Sequence, residues 1–303
     1  MNSYDIIIIG AGPAGLTAGL YAAREGMKTA IVSKDIGGTT NSILMLENWP
    51  GFTGSGSQLI KQMHEHLKKY EIDFIMGDVE SLSKKGDSFS VKLKKQEING
   101  KTLLLTTGTE RKRLEVPGEK ELVGKGISYC VTCDAFFFKG KTVAVVGGSD
   151  CAATSAIALT NIAKKVYVIY RGEKLRCEDI NSKRLEDAQN VEILYKAIPL
   201  EIMGDEKVEG IRLKVDGKEK ELHLDGVFIE VGSNPLTKIT AKVNPKLDKE
   251  GHILVDENMK TSIEGFFAAG DVTSHKLKQV IVAASQGAIA AKSASSYIKN
   301  KIK

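Results

Sequence analysis

Apolar residues in this chain gather into short runs that end in glycine turns, and the two strongest runs are each followed by a segment with helical spacing. Tyr4 to Ile9 is an isoleucine-rich strand, then come Gly10-Ala11-Gly12-Pro13-Ala14-Gly15 and an apolar-periodic stretch from Leu16 to Arg24. Thr142 to Val146 repeats the pattern, leading into Gly147-Gly148-Ser149-Asp150-Cys151-Ala152 and a helix to about Ile162. Strand, glycine turn and helix are thus built twice, which predicts an α/β protein. Gln58 to Lys69 has the spacing of an amphipathic helix. Asp73 to Thr106 alternates, with turn signals at Lys85-Gly86-Asp87 and Asn99-Gly100, as an antiparallel meander does. Downstream, Val166 to Tyr170, Asp225 to Gly232 and Phe266 to Ala269 read as strands, the last capped by Gly270-Asp271. A small-residue helix is predicted from about Gln279 to Tyr297.

The glycine turns carry the first candidate chemistry. Gly10 permits the tight turn, Gly12 lets the backbone approach a pyrophosphate and Gly15 allows close helix-to-strand packing, while the helix start offers N–H groups to the anion. An acidic residue for ribose hydroxyls is expected about 20 residues on. The chain offers Ser33 there, or Asp35 displaced from the usual spot. Gly37-Gly38-Thr39-Thr40 and the following Glu47-Asn48-Trp49-Pro50-Gly51-Phe52 suit a loop against a flat ligand, and equally a polar surface loop. In the second unit Ser149 replaces the middle glycine, so a side chain is expected to intrude on a pyrophosphate. Arg171 and Arg176 read equally as holders of a 2′-phosphate and as scattered surface charge.

Composition narrows the class. A chain of 303 residues, 42% hydrophobic and 27% charged, predicts a globular protein of two domains. No charged segment followed by a long apolar run opens it, so a cytosolic protein with no membrane association is expected. The net charge of +5 comes from scattered lysines without interleaved aromatics, which predicts a solvated basic face and no nucleic-acid partner. The second candidate chemistry is Cys130-Val131-Thr132-Cys133-Asp134, followed by Ala135-Phe136-Phe137-Phe138. Two thiols at this spacing can close a small disulfide ring and trade two electrons with another disulfide. Zinc needs four ligands, whereas Cys151 and Cys177 are isolated and the five histidines form no cluster, so the redox reading leads and no metal is expected.

Together these pieces resemble the low-molecular-weight thioredoxin reductases, FAD-dependent members of the pyridine nucleotide-disulfide oxidoreductases. The resemblance covers nearly the whole length and rests on GAGPAG, GG with ENWPGF, TTGTERKRLEVPGE, SYCVTCD, VAVVGG, DGVFIEVG, and AAGDV followed by KQVIVAASQGAIAA, in that order. It implies two Rossmann-like, three-layer ββα nucleotide-binding domains, the second inserted into the first. The FAD domain would comprise 1–113 and 243–303, and the insert, 114–242, would be NAD(P)H-binding-like and carry the dithiol. Gly10, Gly12, Pro13, Ala14, Gly15, Ser33, Gly38, Thr39, Asn48, Thr107 and Gly108 are implied to hold FAD, together with Gly270, Asp271, Lys278, Gln279 and Val280. Cys133 is implied to lie against the flavin, Cys130 to attack the disulfide of thioredoxin or a glutaredoxin-like protein, and Asp134 to protonate the departing thiolate. A homodimer is implied as well.

The second motif departs from the family pattern. GGGxSAxEE becomes Gly147-Gly148-Ser149-Asp150-Cys151-Ala152-Ala153-Thr154-Ser155, with both glutamates absent. HRRxxxR becomes Tyr170-Arg171-Gly172-Glu173-Lys174-Leu175-Arg176, with one basic position lost. NADPH at Gly147, Gly148, Ser149, Asp150, Arg171 and Arg176 is therefore expected to bind weakly or not at all, with ferredoxin or a reduced deazaflavin as the donor. Two alternatives stand beside this reading: ordinary NADPH dependence, and a non-catalytic flavin and dithiol redox sensor.

Overall fold

β1 (Ser3–Ala11) lies inside a seven-stranded sheet because its isoleucines serve two cores at once. Ile6 and Ile8 enter one apolar cluster, and Ile7 and Ile9 enter another on the opposite face. A strand covered on both faces has no polar positions to alternate with, which is why the sequence run is unbroken there. The computed structural model describes residues 3–302. After β1 come α1 (Pro13–Arg24) and β2 (Thr29–Ile36), then a small ribbon of β3 (Leu46–Trp49) and β4 (Phe52–Gly54). α2 (Gly56–Leu67) follows. It starts two residues earlier than its apolar spacing suggests because Ser55 and Gln58 form a capping box: Ser55 Oγ accepts from the Gln58 N–H, and Gln58 Oε1 accepts from the Ser55 N–H at 2.8 Å.

The alternating region is not a plain meander. β5 (Ile72–Met76) pairs in parallel with β2, and only β6 (Val79–Lys85), β7 (Ser88–Leu93) and the start of β8 (Glu97–Leu105) run antiparallel. β8 then pairs in parallel with β1. Asn99-Gly100 lies inside β8 and is not a turn. Gly100 marks a close approach, since a Cβ there would come within 2.8 Å of Ile7 Cγ1.

β9 (Thr109–Arg111) carries the chain out of this first unit, which comprises Met1–Glu110 and Asn234–Lys303, and into the second, Arg111–Ser233. The second unit holds β10 (Ile127–Ser128), α3 (Val131–Asp134), β11 (Thr142–Val146), α4 (Asp150–Thr160), β12 (Lys165–Ile169), α5 (Asp179–Asp187) and β13 (Val191–Leu194). β14 (Ala197–Met203), β15 (Gly210–Val215) and β16 (Lys218–His223) form a separate antiparallel sheet, and β17 (Gly226–Ile229) returns to the main one. That main sheet is parallel, in the order β10-β17-β11-β12-β13.

β18 (Ser233–Pro235) leads back to the first unit, where β19 (Phe266–Ala268) adds beside β8 and α6 (Val280–Ile302) packs on α1. Ala290, Ala291, Ala294 and Ile298 of α6 share a core with Leu16, Ala18 and Ala22 of α1. The contact is close enough that a Cβ on Gly287 would lie 2.1 Å from the Ala14 carbonyl oxygen. Glu25, at the end of α1, pairs with Lys292 and with Lys299 at 2.6 Å. Both units are thus Rossmann-like α/β layers. Among the described residues no helix is long and apolar enough to cross a membrane.

Candidate active site

The first glycine turn separates glycines that the fold needs from one that it leaves open. Gly10 has φ +109°, and a Cβ on it would lie 2.3 Å from the Thr106 carbonyl oxygen. A Cβ on Gly15 would lie 1.9 Å from the Gly10 carbonyl oxygen. Gly12 is different. Its φ of −75° and ψ of −175° suit any residue, and the nearest atom to a Cβ there is Gly37 O at 3.9 Å. The protein therefore leaves room at Gly12, at the start of α1, where Pro13 and Ala14 open the helix. That is the fit expected of a dinucleotide pyrophosphate.

Around this turn, Ser33 Oγ donates to the Asp35 carbonyl at 2.6 Å and accepts from the Ala11 N–H at 3.2 Å, while Asp35 Oδ1 accepts from the Gly38 N–H. Ser33 thus spends its proton on the loop, and Thr39 is exposed beside Gly38. Asn48 Nδ2 donates to Gln279 Oε1 at 3.0 Å, which joins the ribbon to the residue just before Val280 at the start of α6. Thr107 donates to the Leu236 carbonyl, and Gly108 has φ +66°. Two contributors were not read from the sequence. Thr106 Oγ1 reaches the carbonyls of Ile9 and Gly10, both at 2.9 Å, and buried Gln286 accepts from the Gly270 N–H at 2.8 Å. A polar residue in the small-residue helix was the only signal for Gln286.

Lys278 Nζ donates to the carbonyl of half-buried Asp271 at 2.9 Å. Burial pushes the Asp271 carboxyl above its ordinary value, with Lys278 and His252 opposing. The folded apoprotein thus holds this proton more tightly than the unfolded chain, so stability falls as pH rises from the ordinary Asp range through the raised folded value. Asp271→Asn removes the effect. The apo variant should melt above the apo wild type at neutral pH, and the gap should close toward about pH 4, where the unfolded carboxyl also takes its proton. Thermal unfolding across that range reads this directly, and a gap that ignores pH contradicts it.

In the second unit Cys130 and Cys133 form a disulfide with a Cα–Cα distance of 5.3 Å. Cys130 is the N-cap of α3, and its Sγ accepts from the Cys133 N–H at 3.2 Å. Cys133 is exposed and Cys130 half-buried. Ser128, at the end of β10, donates to Asp134 Oδ2 at 2.6 Å and accepts from the Cys130 N–H at 2.9 Å. Behind it, Tyr129 donates to buried Glu119 at 2.6 Å. Phe136 and Phe137 follow, 78% and 68% exposed, whereas Phe138 is buried in the unit's core.

The second glycine turn is built like the first. Ser149 takes φ −92° and ψ 178°, close to Gly12, and its side chain makes no capping bond to α4. A Cβ on Gly147 would lie 2.3 Å from Glu230 O, and one on Gly148 would lie 2.3 Å from the Tyr170 ring. The Arg176 N–H donates to the Gly148 carbonyl at 2.6 Å, which brings that arginine's backbone beside the turn, and Arg171 is exposed on the same loop. Asp150 Oδ1 accepts from the Glu178 N–H at 2.7 Å. Glu230, just beyond β17 and 8% exposed, accepts from Ser155 at 3.0 Å and pairs with Arg111, so a carboxylate from outside α4 reaches one of the two helix positions that lack their glutamate.

A family model described as pyridine nucleotide-disulphide oxidoreductase matches residues 4–287. The chain belongs to that family. It is 39% identical over 301 residues to a thioredoxin reductase of Bacillus subtilis, covering 98% of this chain and 95% of that one. It is 37% identical to a thioredoxin reductase of Listeria monocytogenes, covering 98% and 94%. Among solved structures, Lactococcus lactis thioredoxin reductase superposes with a TM-score of 0.96 at 34% identity, covering 98% of this chain and 99% of that one. These findings overturn two expectations drawn from the altered motif: that ferredoxin or a deazaflavin is the donor, and that NADPH binds weakly or not at all. The match runs through the whole second unit. At the altered positions the backbone of Ser149 follows the path of Gly12 in the first turn, and a carboxylate reaches Ser155 from Glu230.

Proposed function

We propose that this family member is a conventional FAD- and NADPH-dependent thioredoxin reductase, which passes two electrons by way of FAD to the Cys130–Cys133 disulfide and from the resulting dithiol to thioredoxin. The observation that carries the proposal is that disulfide, with Asp134 hydrogen-bonded next to it, in a unit built around a second glycine turn. Bound NADPH would supply a hydride, and bound FAD would supply the redox chemistry that links a hydride donor to a disulfide. Gly12 and its neighbours would seat the FAD pyrophosphate. Gly147, Gly148, Ser149 and Asp150 would receive NADPH, with Arg171 and Arg176 at its 2′-phosphate.

The chain's own residues divide the rest of the work. The N–H of Cys133 aimed at Cys130 Sγ favours negative charge on that sulfur, which suits Cys130 as the nucleophile toward thioredoxin, with Cys133 exchanging electrons with the flavin. Asp134 supplies the proton that the departing sulfur takes up. A cytoplasmic location fits a dithiol that donates electrons, because that compartment keeps other thiols reduced. Stopped-flow mixing with NADPH should bleach the flavin absorbance, and adding thioredoxin should restore it. A flavin that stays oxidised in NADPH rejects the donor, and one that stays bleached with thioredoxin rejects the acceptor.

A further inference from the structure

We propose that Ser128 is a positioning residue for dithiol–disulfide exchange: its hydroxyl holds Asp134 to the backbone of Cys130 and serves that carboxyl in both of its protonation states. The inference rests on the thioredoxin reductase reading. Ser128 is 4% exposed, so its hydroxyl answers to protein partners. Its Oγ stands 2.6 Å from Asp134 Oδ2, 2.9 Å from Cys130 N and 3.2 Å from Cys130 O. The N–H can only donate, so Oγ accepts there, and its one proton must choose between two oxygens. When Asp134 is ionised, the short bond to the carboxylate takes that proton, because charge-assisted bonds are the stronger ones. When Asp134 carries a proton on Oδ2, the carboxyl donates to Oγ and the hydroxyl proton turns to the Cys130 carbonyl. Neither state leaves this buried hydroxyl without partners.

Exchange needs such an adaptable partner because Asp134 changes state repeatedly. In the reduced enzyme the Cys130 thiolate attacks one sulfur of the partner disulfide. A Cys130–partner bond forms, and the other partner sulfur leaves as a thiolate that takes the proton of Asp134. The ionised Asp134 then takes the proton of Cys133. The Cys133 thiolate attacks Cys130 Sγ and releases the second partner sulfur, which receives that proton. Two electrons and two protons reach the partner, and the enzyme is left with its Cys130–Cys133 disulfide and an ionised Asp134. The carboxyl has crossed between states three times, and at each crossing Ser128 only has to turn a hydroxyl.

The test compares wild type, Ser128→Ala, Ser128→Thr, Asp134→Asn and the Ser128→Ala/Asp134→Asn double variant as FAD-loaded enzymes. Ser128→Ala should lower kcat with thioredoxin about ten- to a hundredfold. KM for thioredoxin and the rate of flavin bleaching by NADPH should not change. Ser128→Thr should restore most of the loss, and the double variant should be no slower than Asp134→Asn alone, since Ser128 acts through that carboxyl. An unchanged kcat in Ser128→Ala, no rescue by threonine, or a further loss on top of Asp134→Asn overturns the proposal. If alanine prevents folding, Ser128→Val, which has the shape of threonine without its hydroxyl, replaces it. If neither folds while threonine does, the hydroxyl is a folding requirement and the proposal fails. A small aryl disulfide serves as a second acceptor. A wild type that reduces it but not thioredoxin removes the thioredoxin reading while leaving the Ser128 comparison readable.

Discussion

Replacing either cysteine of the disulfide with serine is expected to abolish thioredoxin turnover while leaving the flavin reducible. A serine hydroxyl cannot form the mixed disulfide or the closed ring, so no path from dithiol to partner remains. Neither variant touches Gly12 or the second glycine turn, so NADPH should still bleach the flavin at the wild-type rate. Asp134→Asn should behave differently, slowing turnover by about 10²- to 10⁴-fold without abolishing it, as loss of a general acid does. The two cysteine variants separate the roles of the sulfurs. Cys133→Ser keeps Cys130, and should be trapped as a stable adduct by a thioredoxin activated on its exposed sulfur. Cys130→Ser should form that adduct slowly, having lost the sulfur toward which the Cys133 N–H points. Steady-state assays together with mass spectrometry of the trapped species check both statements, and equal trapping by the two variants would reverse or erase the assignment.

The second large effect contrasts two glycines three residues apart. Gly15→Ala should give insoluble or unfolded protein, because its methyl group would lie 1.9 Å from the Gly10 carbonyl oxygen, which is part of the backbone and cannot swing aside. Clashes of this kind cost more than about 4 kcal/mol, a large share of the 5–15 kcal/mol that holds a typical domain together. Gly12→Ala should fold normally, since its backbone angles suit alanine and no protein atom lies within 3.4 Å of the added methyl. It should nevertheless purify with little flavin. Apoprotein melting temperature and the flavin-to-protein absorbance ratio read the two outcomes. A yellow Gly12→Ala protein would show that the space at Gly12 is not where the cofactor's pyrophosphate lies.

The parallel strands were legible because burial on both faces writes an unbroken apolar run, and β11 spans the same Thr142–Val146 that the sequence marks. Asn99-Gly100 misled because glycine beside asparagine is a turn signal only when nothing packs on it, and here Ile7 does. The cysteine pair was readable because its chemistry is local in sequence. Ser128 was not, since its contact to Asp134 exists only where β10 ends and the chain folds over into α3. The donor was misread for the same reason on a larger scale. The helix motif lacks its glutamates, but a carboxylate reaches Ser155 from Glu230, 75 residues along the chain. That lone acid within Val227-Phe228-Ile229-Glu230-Val231 was the available signal, a charge in a buried strand that needed a partner.

The split of the first unit into two stretches of chain has a consequence for the order of manufacture. β1, α1 and most of the large sheet leave the ribosome early, whereas β19 and α6 come last. The stretch 111–303 takes on the order of 10 to 40 s to synthesise at about 5–20 residues per second. Through that interval Leu16, Ala18 and Ala22 of α1 lack the alanine face that covers them in the finished protein, and the intervening unit has its complete sequence before β19 and α6 are made. At that point the newborn chain carries the second unit's full sequence tethered to a sheet that still lacks β19 and the cover of α6. Gln279 and α6 with Gln286 arrive only at the end, so a flavin seated as proposed would load after the chain is complete.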